Sequence, residues 1–280
     1  MTYIQIDFQI NNDKLAETGE ILIALLSEFP FDSFEEHAIG VRGFMPEKDF
    51  DKEEIETYLA QLRSTMDFEY QITNIEDQNW NKKWESNYPS VLIDGKCLIR
   101  APFHADDQDV DYQIVIEPKM SFGTAHHETT SMMISYILNN QWRDLEVLDM
   151  GCGTGVLAIL ASMKGAKALV AIDNDEWAYE NTLENLERNT ITNALTFKGG
   201  KEAIPAQPFD SILANINRNI LLDQIETYSQ RLKNDGKLFM SGFYEEDVPV
   251  IVKEAAKYNL HFVDKKSKNK WVAMMLVKQG

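Results

Sequence analysis

Cysteine is almost missing from this chain: Cys97 and Cys152 are the 2 in 280 residues. They are too few and too far apart for a disulfide framework or a complete zinc site. No run approaches the roughly 18 uninterrupted apolar residues of a membrane helix. The opening residues Met1 to Asp7 hold no basic stretch followed by an apolar one, so nothing resembles a secretory signal. Internal repeats and low-complexity tracts are absent. Basic residues are short as well: 27 Lys and Arg against 45 Asp and Glu leave −18. That balance argues against a phosphate-binding surface, and so against nucleic acid, as the main contact. What remains is 44% hydrophobic and 26% charged, which excludes a fully disordered chain. The length predicts one large domain or two modest ones, and the cytoplasm is the expected compartment.

The acidic excess is uneven. Residues 1–88 hold 19 acids and 7 bases, whereas residues 89–280 hold 26 and 20. Most of the imbalance lies in the first third, which fits a solvated surface or a docking face for a basic protein. That third has its own pattern. Ile4, Ile6, Phe8 and Ile10 alternate with polar residues as in a half-buried strand. Leu15, Ile21, Leu22, Leu25 and Leu26 follow at helical spacing behind a cap at Asn12 or Asp13. Two short strands are expected at Phe31 to His37 and Ala38 to Phe44, with Pro46 breaking the chain. A second helix carries Ile55, Tyr58, Leu59 and Leu62, and a strand runs from Phe68 to Ile75. The order β-α-β-β-α-β is that of a ferredoxin-like α+β domain, here 1–76. A polar linker helix at 77–89 carries Trp80 and Trp84 on one face.

Residues 90–280 form the second expected domain. Strand-like segments at 90–101 and 110–117 precede alternating helices and strands, the mark of a doubly wound α/β core. Its strongest local signal is Val147-Leu148-Asp149-Met150-Gly151-Cys152-Gly153-Thr154-Gly155. An apolar strand enters a glycine-dense turn that opens a helix, where backbone amides face a ligand at close approach. The spacing is G-x-G-x-G, unlike the G-x-G-x-x-G of dinucleotide folds. Asp149 just ahead of Gly151 and Gly153 would repel a pyrophosphate and welcome a cation. The ammonium and sulfonium groups of S-adenosylmethionine meet that condition.

Asp173 ends the next strand, Leu169 to Asp173, and is placed to hydrogen-bond ribose hydroxyls; Asp175 is the alternative. No basic residue in Asn174-Asp175-Glu176 suggests a 2′-phosphate. Leu213-Ala214-Asn215-Ile216-Asn217 closes a later strand, and ligands of open α/β sheets bind outside such strand ends. Asn215 can accept a hydrogen bond from an amine without supplying a full negative charge, and is the expected catalytic residue. The segment Phe122-Gly123-Thr124-Ala125-His126-His127-Glu128-Thr129-Thr130 precedes the first core helix. Its two histidines and Glu128 suggest a metal site, yet adjacent helical residues diverge by about 100° and cannot all chelate one ion. A loop closing over a cofactor is the better reading, with Phe122 packing on an apolar or adenine surface and Thr129 or Thr130 adding a hydroxyl to the cofactor pocket.

Assembled in this order, these motifs resemble the ribosomal protein L-eleven methyltransferase family (PrmA). Phe122 to Thr130 is the most specific piece; Leu148 to Gly155, Ala171 to Asp173 and Ala214 to Ile216 follow in family order. The resemblance implies a Rossmann-like methyltransferase core with cofactor contacts at Thr130, Gly151, Asp173 and Asn215, and Phe122 nearby. It also implies N-methylation of lysine side chains and of the N-terminal amine on a basic large-subunit ribosomal protein. Ala125 departs from the family's second glycine, and Asn217 and Arg218 depart from its smaller, more apolar residues. A methyltransferase of another amine, or a non-catalytic binding module, shares the same core pattern.

Overall fold

The computed structural model describes residues 2–11, 15–75, 88–105, 109–119 and 121–280. The expected cap at Asn12 or Asp13 and the linker tryptophans Trp80 and Trp84 lie outside the described residues. The chain divides into two compact units, Met1–Tyr88 and Pro89–Gly280.

In the first unit the elements are β1 (Tyr3–Ile10), α1 (Leu15–Leu26), β2 (Ser33–His37), β3 (Gly40–Pro46), α2 (Lys52–Leu62) and β4 (Phe68–Ile75). The sheet order is β2-β3-β1-β4, with every pairing antiparallel. Period-two alternation puts Ile4, Ile6, Phe8 and Ile10 inside, against Leu22 and Leu26 of α1 and Ile55 and Leu59 of α2. Pro46 ends β3 rather than interrupting it, because a last strand residue need not donate to the ladder. A 3₁₀ turn follows, and Asp51 then caps α2 by accepting from the Glu54 amide at 3.1 Å.

The second unit begins with a small sheet of β5 (Val91–Ile93), β6 (Cys97–Arg100) and β7 (Tyr112–Val115). Where one strand is expected over 90–101, the structure has a hairpin. Asp94 and Gly95 take left-handed φ values of 51° and 65° at its turn, the conformation that Asp-Gly favours.

The main sheet has seven strands: β8 (Glu146–Met150), β9 (Ala168–Asp173), β10 (Ala194–Lys198), β11 (Phe209–Asn215), β12 (Leu232–Tyr244), β13 (Leu260–Lys268) and β14 (Trp271–Lys278). Their spatial order is β10-β9-β8-β11-β12-β14-β13. The first five pair in parallel and the last two antiparallel. Five helices serve it: α3 (Glu128–Leu138), α4 (Val156–Met163), α5 (Glu176–Arg188), α6 (Arg218–Arg231) and α7 (Val248–Ala256). Successive residues of β8 and β9 face opposite ways. Val147, Leu169 and Ala171 pack in one core cluster with α3 and α4, while Leu148, Met150, Val170 and Ile172 pack in the other with α6 and α7. Burial on both faces explains why these strands read as continuous apolar runs.

The strand β10 is missing from the sequence reading. It is an edge strand with Leu195 62% exposed, so it lacks the apolar run that marks its neighbours. The C-terminal strands are longer than expected, joined by Asn269 and Lys270 in a two-residue left-handed turn. Among the described residues no helix is long and apolar enough to cross a membrane. Connections from β8 run outward to β9 on one side, while β11 lies on the other. Such a switch in strand order opens a crevice at the carboxyl ends of the strands.

Candidate active site

That crevice is a cleft of about 890 Å³. Its walls include Ser121, Phe122, Gly151, Gly153, Asp173, Asp175, Trp177, Asn215 and Ile216. The ends of β11, β8 and β9 are neighbours in the sheet, so Asn215, the glycine loop and Asp173 form a row about 4.8 Å apart per strand.

The glycine loop has little side chain of its own, and its neighbours hold its backbone. Gly153 donates its N–H to Asp173 Oδ2 at 2.9 Å, and the Thr182 hydroxyl donates to the Gly153 carbonyl at 2.8 Å. Gly153 has φ 58°, and a Cβ there would collide with the Phe122 carbonyl. Thr154 donates from its backbone N–H to the Phe122 carbonyl at 2.9 Å and from its hydroxyl to the Gly123 carbonyl at 2.8 Å. The loop and the Phe122 segment are thereby one assembly. The other oxygen of Asp173 accepts from the Asp175 N–H at 3.0 Å. Asp175 itself caps α5, accepting from the Ala178 N–H at 2.9 Å, and both acids line the cleft.

Two expected cofactor residues stand behind the wall. Asp149 is fully buried; its Oδ2 accepts from the Ala158 N–H at 3.1 Å, and its Oδ1 has no hydrogen-bond partner. Burial pushes its pKa up to about 7, with the nearby Asp173 charge adding to the effect. Thr130 is also buried, and its hydroxyl accepts from Asn215 Nδ2 at 3.2 Å. It orients Asn215 rather than lining the cleft. Asn215 Oδ1 is buried and unpartnered.

A second cavity of about 240 Å³ shares Phe122, Asn215 and Ile216 with the cleft. His127, Thr129, Asn217, Gly242 and Trp271 complete its lining. The tempting metal trio diverges. His126 bonds to Thr124 and to the Pro89 carbonyl, His127 caps α3, and Glu128 accepts from Asn269 at 2.7 Å. Ala125 takes a left-handed φ of 67° with its methyl in the core. Asn217 caps α6 by accepting from the Ile220 N–H at 3.2 Å, and Arg218 pairs with Asp247 at 2.7 Å.

Sequence reading missed Thr182, Asn185, Trp177 and Trp271. Asn185 donates to the Thr154 carbonyl at 3.0 Å and accepts from the Glu117 N–H at 3.0 Å. The available signal was polar residues, Asn181, Thr182 and Asn185, on the inward face of an acidic helix.

The cleft suits S-adenosylmethionine. An apolar stretch runs between Phe122 and Ile216, the Asp173 carboxylate lines the wall, and crowded glycines leave room for close backbone approach. A Gly153→Ala variant adds a left-handed alanine strain of about 1–2 kcal/mol to the collision with Phe122. Its affinity for S-adenosylhomocysteine is expected to fall roughly tenfold or more by calorimetry; unchanged affinity would separate loop shape from binding. The raised Asp149 pKa has a stability consequence. The folded chain keeps a proton that the unfolded chain releases near its ordinary value of about 3.9. Stability from this group is therefore lost as pH rises from about 4 towards about 7. Asp149→Asn is expected to flatten the fall in urea midpoint between pH values below and above that window; an unaltered slope would refute the assignment.

Comparison with known proteins places these features in one family. The family model described as "Ribosomal protein L11 methyltransferase (PrmA)" matches residues 11–279. A protein of the same designation from Porphyromonas gingivalis is 42% identical over 281 residues, covering 98% of this chain and 97% of its own length. Another from Bacteroides fragilis is 40% identical over 275 residues, covering 97% and 98%. A solved ribosomal protein L-eleven methylase from Lactobacillus delbrueckii subsp. bulgaricus superposes with a TM-score of 0.64 at 27% identity, covering 69% of this chain and 100% of that one. A family model that matches nearly the whole chain and relatives that align nearly end to end make this chain a member of the ribosomal protein L-eleven methyltransferase (PrmA) family of S-adenosylmethionine-dependent protein methyltransferases.

Proposed function

We propose that the chain methylates lysine side chains and the N-terminal amine of a basic large-subunit ribosomal protein, protein L-eleven, in the cytoplasm. The observation that carries this reading is Asn215, which lines both cavities and whose Oδ1 is a buried acceptor without a partner. When bound, S-adenosylmethionine supplies an electrophilic methyl group on a sulfonium centre. Phe122, Gly151, Gly153, Asp173 and Asn215 hold the cofactor, while Asp149 and Thr130 act from behind, on the loop and on Asn215. The smaller cavity admits the acceptor amine. Among its lining residues there is no carboxylate, which matters because the attacking nitrogen must carry a free lone pair. Deprotonating a lysine near pH 7 costs about 4–5 kcal/mol, and a touching carboxylate would raise that cost. Desolvation between Phe122 and Trp271 lowers it. Asn215 Oδ1 accepts an N–H of the neutral amine and aligns its lone pair, so that positioning supplies much of the acceleration.

Specificity rests on the first unit. Its 19 acids against 7 bases over residues 1–88 suit docking of a basic protein, with no nucleic acid in direct contact and the linker of 77–89 between docking unit and core.

Purified protein, methyl-labelled S-adenosylmethionine and large-subunit ribosomal proteins from the same cell provide the test. Label mapped by mass spectrometry is expected on lysines or the N-terminus of protein L-eleven; label only on another protein would discard the target. A chain lacking residues 1–75 is expected to bind cofactor and fail to label protein, and full labelling by it would refute the docking role. Asn215→Ala is expected to lower turnover about a hundredfold. Asn217→Ala loses a helix cap worth about 1 kcal/mol of stability and should keep turnover within about threefold; equal effects on turnover would remove Asn215 from the chemistry.

A further inference from the structure

We propose that the hydrogen bond between Glu128 and Asn269 clamps two walls of the smaller cavity together, which makes both residues positioning residues for the acceptor amine; the inference rests on reading that cavity as the acceptor site. The two walls come from different elements. His127 caps the start of α3, and Trp271 opens β14. Their rings meet edge to face with centroids 4.8 Å apart. Trp271 also meets Tyr244 at 4.1 Å, and His127 meets Phe122 at 5.3 Å, so a displacement of either wall passes along a row of four rings. Glu128 is the neighbour of His127, and Asn269 precedes Trp271 by a single residue, Lys270. Glu128 Oε1 accepts from Asn269 Nδ2 at 2.7 Å.

Each partner suits its own backbone. An acid in the first turn of a helix complements the helix dipole, and asparagine tolerates the left-handed φ of 50° at position 269. Neither preference calls for a bond to the other, 141 residues away in the chain. The carboxylate has a pKa below its ordinary value, with the Asn269 hydrogen bond as the first cause, so the bond is charge-assisted at neutral pH. The other ties of the turn lead away from α3. The Lys270 carbonyl accepts from the Glu245 N–H at 3.0 Å, and Lys265 pairs with Glu245 at 2.7 Å. They secure Trp271 to the end of β12, which already pairs with it. The Glu128 bond secures the same turn to the wall that carries His127. Further in, Ala273 of β14 and Ile134 of α3 share a core cluster, so breaking the clamp loosens the cavity wall and leaves the core in place. The effect falls on the orientation of the amine, since a misplacement of about 1 Å costs methyl transfer up to about a hundredfold.

The test is the initial rate of transfer from methyl-labelled S-adenosylmethionine to total large-subunit ribosomal proteins of the same cell, with S-adenosylhomocysteine affinity and melting temperature measured beside it. Asn269→Asp keeps the size of the side chain and its tolerance for a left-handed turn, and sets a carboxylate against Glu128. It is expected to lower kcat about tenfold, with cofactor affinity within about twofold and the melting temperature close to native. Glu128→Gln keeps an acceptor oxygen and is expected to hold kcat within about threefold. Combining Glu128→Gln with Asn269→Asp exchanges donor and acceptor, the new amide donating to the new carboxylate, and kcat is expected to return to within about threefold of native. A native kcat for Asn269→Asp, or a loss that the combined variant does not recover, would overturn the proposal. Trp271→Leu separates the two levels. Transfer at the native rate with that wall removed means that the cavity is misread, and the clamp falls with it; a fall in Trp271→Leu beside a native rate in Asn269→Asp removes the clamp alone.

Discussion

A loop built from glycines cannot hold its own shape, and the rest of the site depends on how its backbone is held from outside. The polar groups of the turn from Asp149 to Gly155 are taken up by several neighbouring elements. Asp173 at the end of β9 takes the Gly153 N–H, Thr182 of α5 reaches the Gly153 carbonyl, and Asn185 reaches the Thr154 carbonyl. The Phe122–Gly123 segment accepts both Thr154 donors. Because a buried backbone group left unpaired costs about 1–3 kcal/mol, these bonds act together. A shift in any one element transmits to the turn. The same carboxylate that fixes Gly153 faces the cleft, so the residue read as the ribose acceptor also sets the loop that frames it.

Asn215 shows the same economy on the other side. Its Nδ2 is used by Thr130, which orients the amide, its Oδ1 is buried without a donor, and the residue lines both cavities. A buried carbonyl oxygen without a donor is unfavourable in the empty protein. A ligand that brings an N–H relieves that cost as it binds. A neutral acceptor matters here, since a carboxylate in its place would stabilise an ammonium and withhold the lone pair that methyl transfer needs.

Much of this was legible because the signals are local. The apolar strand of 147–150, the glycine turn and the acid at 173 each depend on a few adjacent residues, and the sheet brings them together at neighbouring strand ends. The edge strand β10 was not legible: with one side of the sheet unpartnered it has no apolar run to betray it. The split of 90–101 into a hairpin was signalled by Asp94-Gly95 and overridden by the apolar residues around it. Thr182 and Asn185 were hidden by the acidic character of α5, whose buried side is polar because it serves a backbone rather than a core.

The sequence by itself determined the order of elements, the chemistry of the motifs and the family, since periodicity, glycine spacing and motif order are carried by neighbours in the chain. Which motif residue touches the cleft and which supports it was decided only by the tertiary structure. Asp149 and Thr130 stand in the motifs on equal terms with Gly151 and Asn215, yet both are enclosed. Trp177 belongs to no motif and lies in the wall. Side-chain direction at a strand end depends on packing between elements that are far apart in the chain, and no local pattern encodes it.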